Sequence, residues 1–530
     1  MKKQYKRKDY VLNILPCVFY GALSGVATGL FVFFFKWLSK RVEGGSRYLY
    51  DLAESSPLTV ALGFLVLVAL GLAMAFLHKW LPEVEGGGIP RSEGVLRGLF
   101  SFKSLRTLLG TFIGSMIGFF AGLPLGCEGP AVLMGTCLGG LCVSFSRSKT
   151  AWRGYVMSGG AGAGFAVATG APLAGILFVL EEVHKRFTPM LVLTVSASVI
   201  SAAFTNEALA LAFGMKTALW EFGTLSHFAL SDVGYLFLLG LLLAASVFIF
   251  DSSIALATRL LKTTRKFLPR TCKLVSVFAL TGVVGFIASD AIYSGHHTVE
   301  AILAENKTLL VLSALLLVRF VMMLLVLDSG ATGGSFVPTL AIGALVGALA
   351  AKLLIALGMD GALYDSVILL SMCAFIGGTL RAPLTATVLF LELTGQFTSL
   401  FYVSLVVFTV YALTELLNST PFYDSVLHNI EEEENEGKVL REGFFEMRVA
   451  AGAFVVGKTV RDVMWPSSSV VLSVRREGAE RKSVGNVGDK LLLIGDTVVI
   501  KATYSDEREI KDTLYGLVGH VAEIKPIDQI

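Results

Sequence analysis

The sequence predicts an all-α polytopic membrane protein made of two inverted-topology repeats with broken helices, followed by a small α/β cytoplasmic domain. Composition is the first observation behind this: 54% of the 530 residues are apolar and 16% charged, against roughly 45–50% and about 25% in soluble proteins. The second is an uneven distribution of charge. Residues 431–530 carry 32 charges, 18 acidic and 14 basic, which leaves 53 of the 85 for the first 430 residues. The third is an internal repeat, in which Ala171-Pro-Leu-Ala-Gly-Ile-Leu-Phe-Val-Leu-Glu181 lines up without gaps on Ala382-Pro-Leu-Thr-Ala-Thr-Val-Leu-Phe-Leu-Glu392 at an offset of 211. A glycine-proline element precedes each copy: Gly126-Cys-Glu-Gly-Pro130 lies 42 residues before Pro172, and Gly334-Ser-Phe-Val-Pro338 lies 45 before Pro383. The chain therefore divides into a membrane part at 1–430, with halves at about 10–215 and 230–425, an acidic linker at 431–437 and a terminal domain at 438–530.

Along the chain, the basic segment Met1-Lys-Lys-Gln-Tyr-Lys-Arg-Lys8 precedes an apolar run from about Val11 to Leu38. That run is long enough to span a bilayer and too long for a cleaved signal, and the preceding Lys and Arg predict a cytoplasmic N-terminus. Further apolar runs lie near residues 58–77, 107–125, 130–145, 153–180, 189–213, 233–257, 273–292, 307–327, 336–358, 366–377 and 383–417. Several are too short or too glycine-broken for simple spans. Broken helices are tolerated where their freed backbone groups face protein or a water-filled cavity, and in duplicated halves they place a substrate site near the bilayer midplane. The run Glu431-Glu-Glu-Glu-Asn-Glu436 reads as a solvated linker. After it come strands at about 444–450, 470–475, 491–493 and 497–503 and helices at about 458–464 and 506–516.

Several function classes are excluded. A net charge of +3 without a basic stripe does not suit nucleic acid. The six cysteines show no CxxC spacing and read as apolar packing residues. Gly452-Ala-Phe-Val-Val-Gly-Lys-Thr459 fits the letters of a phosphate-binding loop, but its inner positions are strand-like and no strong strand precedes it, so nucleotide hydrolysis is not expected. His296 and His297 fall in a loop between spans, and adjacent side chains rarely chelate one ion. No metal, cofactor or catalytic residue is expected.

The chemistry concentrates in three turns: Gly86-Gly-Gly-Ile-Pro90, Gly126–Pro130 and Gly334–Pro338. In each, Pro is placed to open a helix, and glycine allows backbone to approach a ligand closely. Helix N-termini carry unpaired N–H groups and partial positive charge, so several converging on one point hold a small anion without a full positive side chain. Glu128 lies inside the second turn, where an ionised carboxylate can take the anion's place and a protonated one can leave it. Carboxylates are expensive in a membrane core and mark function there. Glu181 and Glu182 end the run Ala171–Leu180. The repeat partner of Glu181 is Glu392, whereas that of Glu182 is Leu393, so Glu182 is peculiar to one half.

Together with Tyr423 in Ser419-Thr-Pro-Phe-Tyr423, these turns resemble the CLC family of chloride channels and proton-coupled chloride exchangers over residues 10–430. The resemblance implies a homodimer with one pathway per subunit, in a membrane that is expected to be a bacterial plasma membrane with both termini cytoplasmic. It implies that chloride or a similar anion meets the N–H groups of Ser335 and Phe336 and the Tyr423 hydroxyl, with Gly129 lining an outer site. Glu128 becomes the gate and outer proton carrier, and Glu182 the inner proton-transfer residue, with Glu181 as its alternative. Two departures matter. The first turn usually carries serine where this chain has Gly87, which removes a donor to the anion, and the residue before the gating glutamate is usually Lys or Arg where this chain has Cys127. The tail resembles the RCK C-terminal module of potassium-transport regulators, in Gly457–Val463, Val470–Arg475 and Gly495–Val499, which implies a dimerising regulatory domain with a small nucleotide-like ligand. The expected function is exchange of chloride for protons. The alternative is a passive voltage- or pH-gated chloride channel of the same fold.

Overall fold

The repeat governs the architecture. The computed structural model describes residues 2–53, 56–144, 149–220, 222, 225–264, 269–305, 307–435, 440–466, 469–476, 486–504, 506–519 and 525–526. The first half contains α1 (Lys2–Ala53), α2 (Pro57–Trp80), α3 (Gly88–Arg97), α4 (Ser104–Phe120), α5 (Glu128–Ser144), α6 (Lys149–Thr169), α7 (Pro172–Phe178) and α8 (Pro189–Phe213). The second contains α9 (Val233–Thr264), α10 (Arg270–Ile287), α11 (His296–Ala304), α12 (Leu309–Ser329), α13 (Phe336–Ala356), α14 (Tyr364–Leu380), α15 (Pro383–Thr394) and α16 (Leu400–Leu416), followed by α17 (Phe422–Asn435). Among the described residues nine helices are long and apolar enough to cross a membrane. Their ends follow local rules: Pro57, Pro172, Pro189 and Pro383 each open a helix, where a missing N–H is harmless. Gly214, Gly330 and Gly395 close α8, α12 and α15 in the left-handed conformation that favours glycine.

The two halves pack alike: α5 lies on α6 as α13 lies on α14, and α1 on α8 as α9 on α16. They also exchange caps. The Glu392 carboxylate accepts from the N–H groups of Leu173 and Ala174, both at 2.8 Å, at the start of α7. Glu181 accepts in turn from the N–H groups of Leu384 at 2.9 Å and Thr385 at 2.7 Å at the start of α15. Each carboxylate thus neutralises two orphan donors and the positive end of the other half's helix, and the reciprocity is that of a two-fold axis between α7 and α15.

Symmetry fails one residue later. In the second half α15 stays α-helical to Thr394. In the first, Val179–Val183 switches to a π-turn, with the His184 N–H donating to the Val179 carbonyl at 3.1 Å. Glu182 lies on this turn, a geometry frequent at functional sites.

Beyond the membrane body, β1 (Arg441–Arg448), β2 (Ser469–Arg475), β3 (Thr497–Tyr504) and β4 (Lys525–Pro526) form an antiparallel sheet in the order β2-β3-β1-β4, accompanied by α18 (Glu507–Val518). Four local expectations are corrected. The acidic run is not a solvated linker through Asn435, because Glu431–Asn435 continue α17; residues 436–437 lie outside the described residues. Residues 458–464 form only a short 3-10 turn, Val460–Asp462, and 491–493 contribute a single bridge from Leu491 to Thr459. His296 and His297 begin α11 instead of lying in a loop, with His296 4.8 Å from the Trp220 ring.

The terminal domain docks on the membrane body. The Tyr155 hydroxyl on α6 donates to the Asp462 carbonyl at 3.1 Å and accepts from the Met464 N–H at 3.2 Å. Lys458, the lysine of the phosphate-loop look-alike, is buried over the Phe454 ring and 3.5 Å from the Met190 sulfur on α8. Burial pushes its ammonium down to about 7, and it faces the interface in place of a phosphate.

Candidate functional site

The three glycine-proline turns meet at one point. The Gly126 N–H donates to the Gly334 carbonyl at 2.7 Å, and the Gly334 N–H returns to the Gly126 carbonyl at 2.9 Å, lacing the second turn to the third. A methyl group at Gly129 would stand 2.7 Å from the Gly334 Cα, and one at Gly88 would collide with the Gly129 carbonyl. Only glycine permits these approaches. Gly87, at the N-cap of α3, faces Ser335, with the Ser335 Oγ 3.9 Å from where a Gly87 side chain would begin.

The helix starts therefore converge. In α13 the Thr339 N–H closes the first turn on the Ser335 carbonyl at 3.0 Å, so the N–H groups of Ser335 and Phe336 lie ahead of the intrahelical ladder. Tyr423, near the start of α17, is fully buried, and its hydroxyl has no hydrogen-bond partner among the described residues while facing the Ser335 side chain. A buried orphan donor beside free N–H groups fits a small anion, since it would otherwise remain unsatisfied.

Glu128 is the first residue of α5 and is fully buried. Its Oε1 accepts from the Cys127 thiol at 3.4 Å, its carboxylate folds back toward its own N–H, and Oε2 lies against Gly126. The carboxylate thus lies within the second turn, and Oε2 has no hydrogen-bond partner among the described residues. A basic side chain from another element comes near: Lys36 on α1 lies within electrostatic reach of Cys127 and Glu128. Its ammonium donates to the carbonyls of Val167 at 3.0 Å and Thr217 at 3.4 Å. Sequence spacing could not reveal this lysine, because it lies 92 residues from Glu128 and reads there as one cation near the end of an apolar run.

Glu182 is also fully buried, and neither carboxylate oxygen has a hydrogen-bond partner among the described residues. Its nearest basic neighbour in sequence is engaged elsewhere, since Lys185 pairs with Asp424 at 3.0 Å. Arg97 holds the π-turn by its backbone, donating to the Glu182 carbonyl at 3.2 Å and the Val183 carbonyl at 3.0 Å, and it also pairs with Glu93 and, at 3.3 Å, with Asp424. Glu93, Arg97 and Asp424 join the site only in three dimensions. Tyr423 lies within electrostatic reach of Glu128, Glu182 and Glu93. Glu181 is separated from this group, being committed to the start of α15.

Comparison with known proteins identifies the family and the fold. Residues 70–415 match the family model described as voltage gated chloride channel. The H(+)/Cl(-) exchange transporters ClcA of Salmonella schwarzengrund and Salmonella agona are each 29% identical over 445 residues, covering 80% of this chain and 92% of theirs. Among solved structures, a slow cyanobacterial Cl-/H+ antiporter is similar with a TM-score of 0.72 at 24% identity, covering 79% of this chain and 99% of its own. A CLC-type fluoride/proton antiporter is similar with a TM-score of 0.62 at 20% identity, covering 77% and 96%.

Proposed function

Because the chain belongs to the voltage gated chloride channel family, we propose that it is a secondary-active transporter exchanging chloride, or a similar small anion, for protons. The observation that carries this reading is the pair of fully buried glutamates, Glu128 at the start of α5 and Glu182 on the π-turn, both within electrostatic reach of Tyr423. The anion binds the N–H groups of Ser335 and Phe336 and the Tyr423 hydroxyl, with Gly129 lining the outer part of the path. Glu128 replaces the anion when ionised and withdraws when protonated. Glu182 delivers protons from the other side. A passive channel needs a gate but no second buried carboxylate, so Glu182 favours exchange. The likeness to ClcA supports the same choice.

The test is direct. Purified protein in liposomes, given only a chloride gradient, is expected to drive protons uphill; chloride flow with no proton signal would assign the passive channel instead.

Two copies form a homodimer in the plasma membrane with both termini cytoplasmic, each copy with its own path. The terminal domain is an RCK-C-like regulatory module for a nucleotide-like ligand, and its docking on α6 and α8 gives it contact with the membrane body.

Gly87 sets a second expectation. Its backbone, at φ −72° and ψ 130°, suits any L-residue, and the nearest atoms to a new side chain are 3.6–3.9 Å away. Gly87→Ser should therefore fold normally and add a hydroxyl donor to the anion. A strongly hydrated anion gains more from that donor, so the chloride-to-nitrate flux ratio should rise by about threefold to tenfold. Equal ratios in the two proteins would refute it.

A further inference from the structure

The anion reading leaves unused a cationic pair beside the first turn. A cavity of about 90 Å³ opens next to Gly86 and Gly87 and is also lined by Arg91, Arg270 and Glu433. Arg91 lies one turn into α3 and is 6% exposed; its Nη1 is 3.1 Å from Glu434 Oε1, and its Nε has no partner among the described residues. Arg270 opens α10 and contacts Glu85 at 2.6 Å and Glu433 at 3.1 Å. The remaining charges here, Lys273 and Asp328, pair at 2.7 Å. Glu433 and Glu434 belong to the acidic run that extends α17 beyond Tyr423.

A guanidinium offers the same fork of donors to a carboxylate as to a free anion. Two arginines on the tail side of the anion point would draw anions in and, unopposed, retain them. We propose that Arg91 and Arg270 form an additional anion-binding station at the tail-side mouth, and that Glu433 and Glu434 occupy it as tethered carboxylates that compete with the transported anion. The station rests on the anion-path reading given above. The pairs made by Glu433 and Glu434 are suited to exchange, because Glu433, Glu434 and Arg270 keep 32%, 33% and 43% of their side chains exposed, while Glu85 stays on Arg270 at 2.6 Å. Such pairs are weak and screened by salt.

The experiment is a chloride titration of full-length protein in planar bilayers, varying chloride on one face at a time, with the tail side identified by antibody access to a C-terminal tag. Glu433→Gln/Glu434→Gln should lower the tail-side chloride for half-maximal current by about threefold and leave the opposite face unchanged. Impermeant gluconate salt on the tail side should lower that value in the parent and have no effect in the double variant. An unchanged or raised half-saturation in the double variant overturns the station while exchange stands. If that variant does not assemble, the single variants decide by the same criterion. A parent that carries no chloride current overturns the exchange reading instead.

Discussion

Glu128→Ala is expected to abolish proton coupling while anion flux continues. The carboxylate lies at the start of α5, in a turn laced to Gly334, where the proposed anion would meet backbone donors. An ionised carboxylate competes for those donors because hydrogen bonds to a charged acceptor are roughly twice as strong as neutral ones. Protonation removes that advantage and frees the point for the anion. In the parent, flux should therefore rise as pH falls, since acid withdraws the plug. In Glu128→Ala nothing ionises there, so flux should become flat with pH and the proton-to-anion ratio should fall at least about tenfold. Glu128→Gln keeps the volume without the charge and should also uncouple. Parallel chloride-electrode and pH recordings on liposomes check both; uphill proton movement surviving in Glu128→Ala would place the gate elsewhere.

The ease of reading this site from sequence reflects what each residue depends on. Glycine and proline at Gly126–Pro130 and Gly334–Pro338 act through their own backbone, so their positions carry the meaning locally, and the 211-residue offset exposes the halves. Lys36, Glu93, Arg97 and Asp424 matter only through what folding brings beside them, and in the sequence they are ordinary charges. The π-turn at Val179–Val183 is similarly hidden, because the two halves read alike up to Glu181 and Glu392 and the helical ladder diverges only in three dimensions. The acidic run shows the opposite limit. A stretch of like charges predicts a solvated segment when alone, but here Arg91 and Arg270 face Glu434 and Glu433 and support its helix.

Glu182→Gln is expected to stop proton movement and spare anion flux, and Glu181→Gln to leave both fluxes as in the parent. The two residues are adjacent and differ by what their carboxylates touch. Glu181 is bound at the start of α15 by two backbone N–H groups and, at 2.7 Å, by the Thr385 hydroxyl. A neutral amide there weakens a charged cap, so Glu181→Gln should lose about 1–3 kcal/mol of stability, seen as a lower melting temperature with an unchanged proton-to-anion ratio. Glu182 has no such duty: its carboxylate is buried without a hydrogen-bond partner among the described residues, and Arg97 holds the turn through backbone carbonyls. Glu182→Gln should therefore fold as the parent does. It should still pass chloride, and with Glu128 intact that flux should keep its rise in acid. Only the supply of protons from the tail side is cut. The opposite pattern, with coupling lost in Glu181→Gln and kept in Glu182→Gln, would move the proton station onto the symmetric position and make the π-turn merely structural. Stability and coupling thus separate on neighbouring side chains, since one carboxylate is spent on backbone donors and the other is left free to change its protonation.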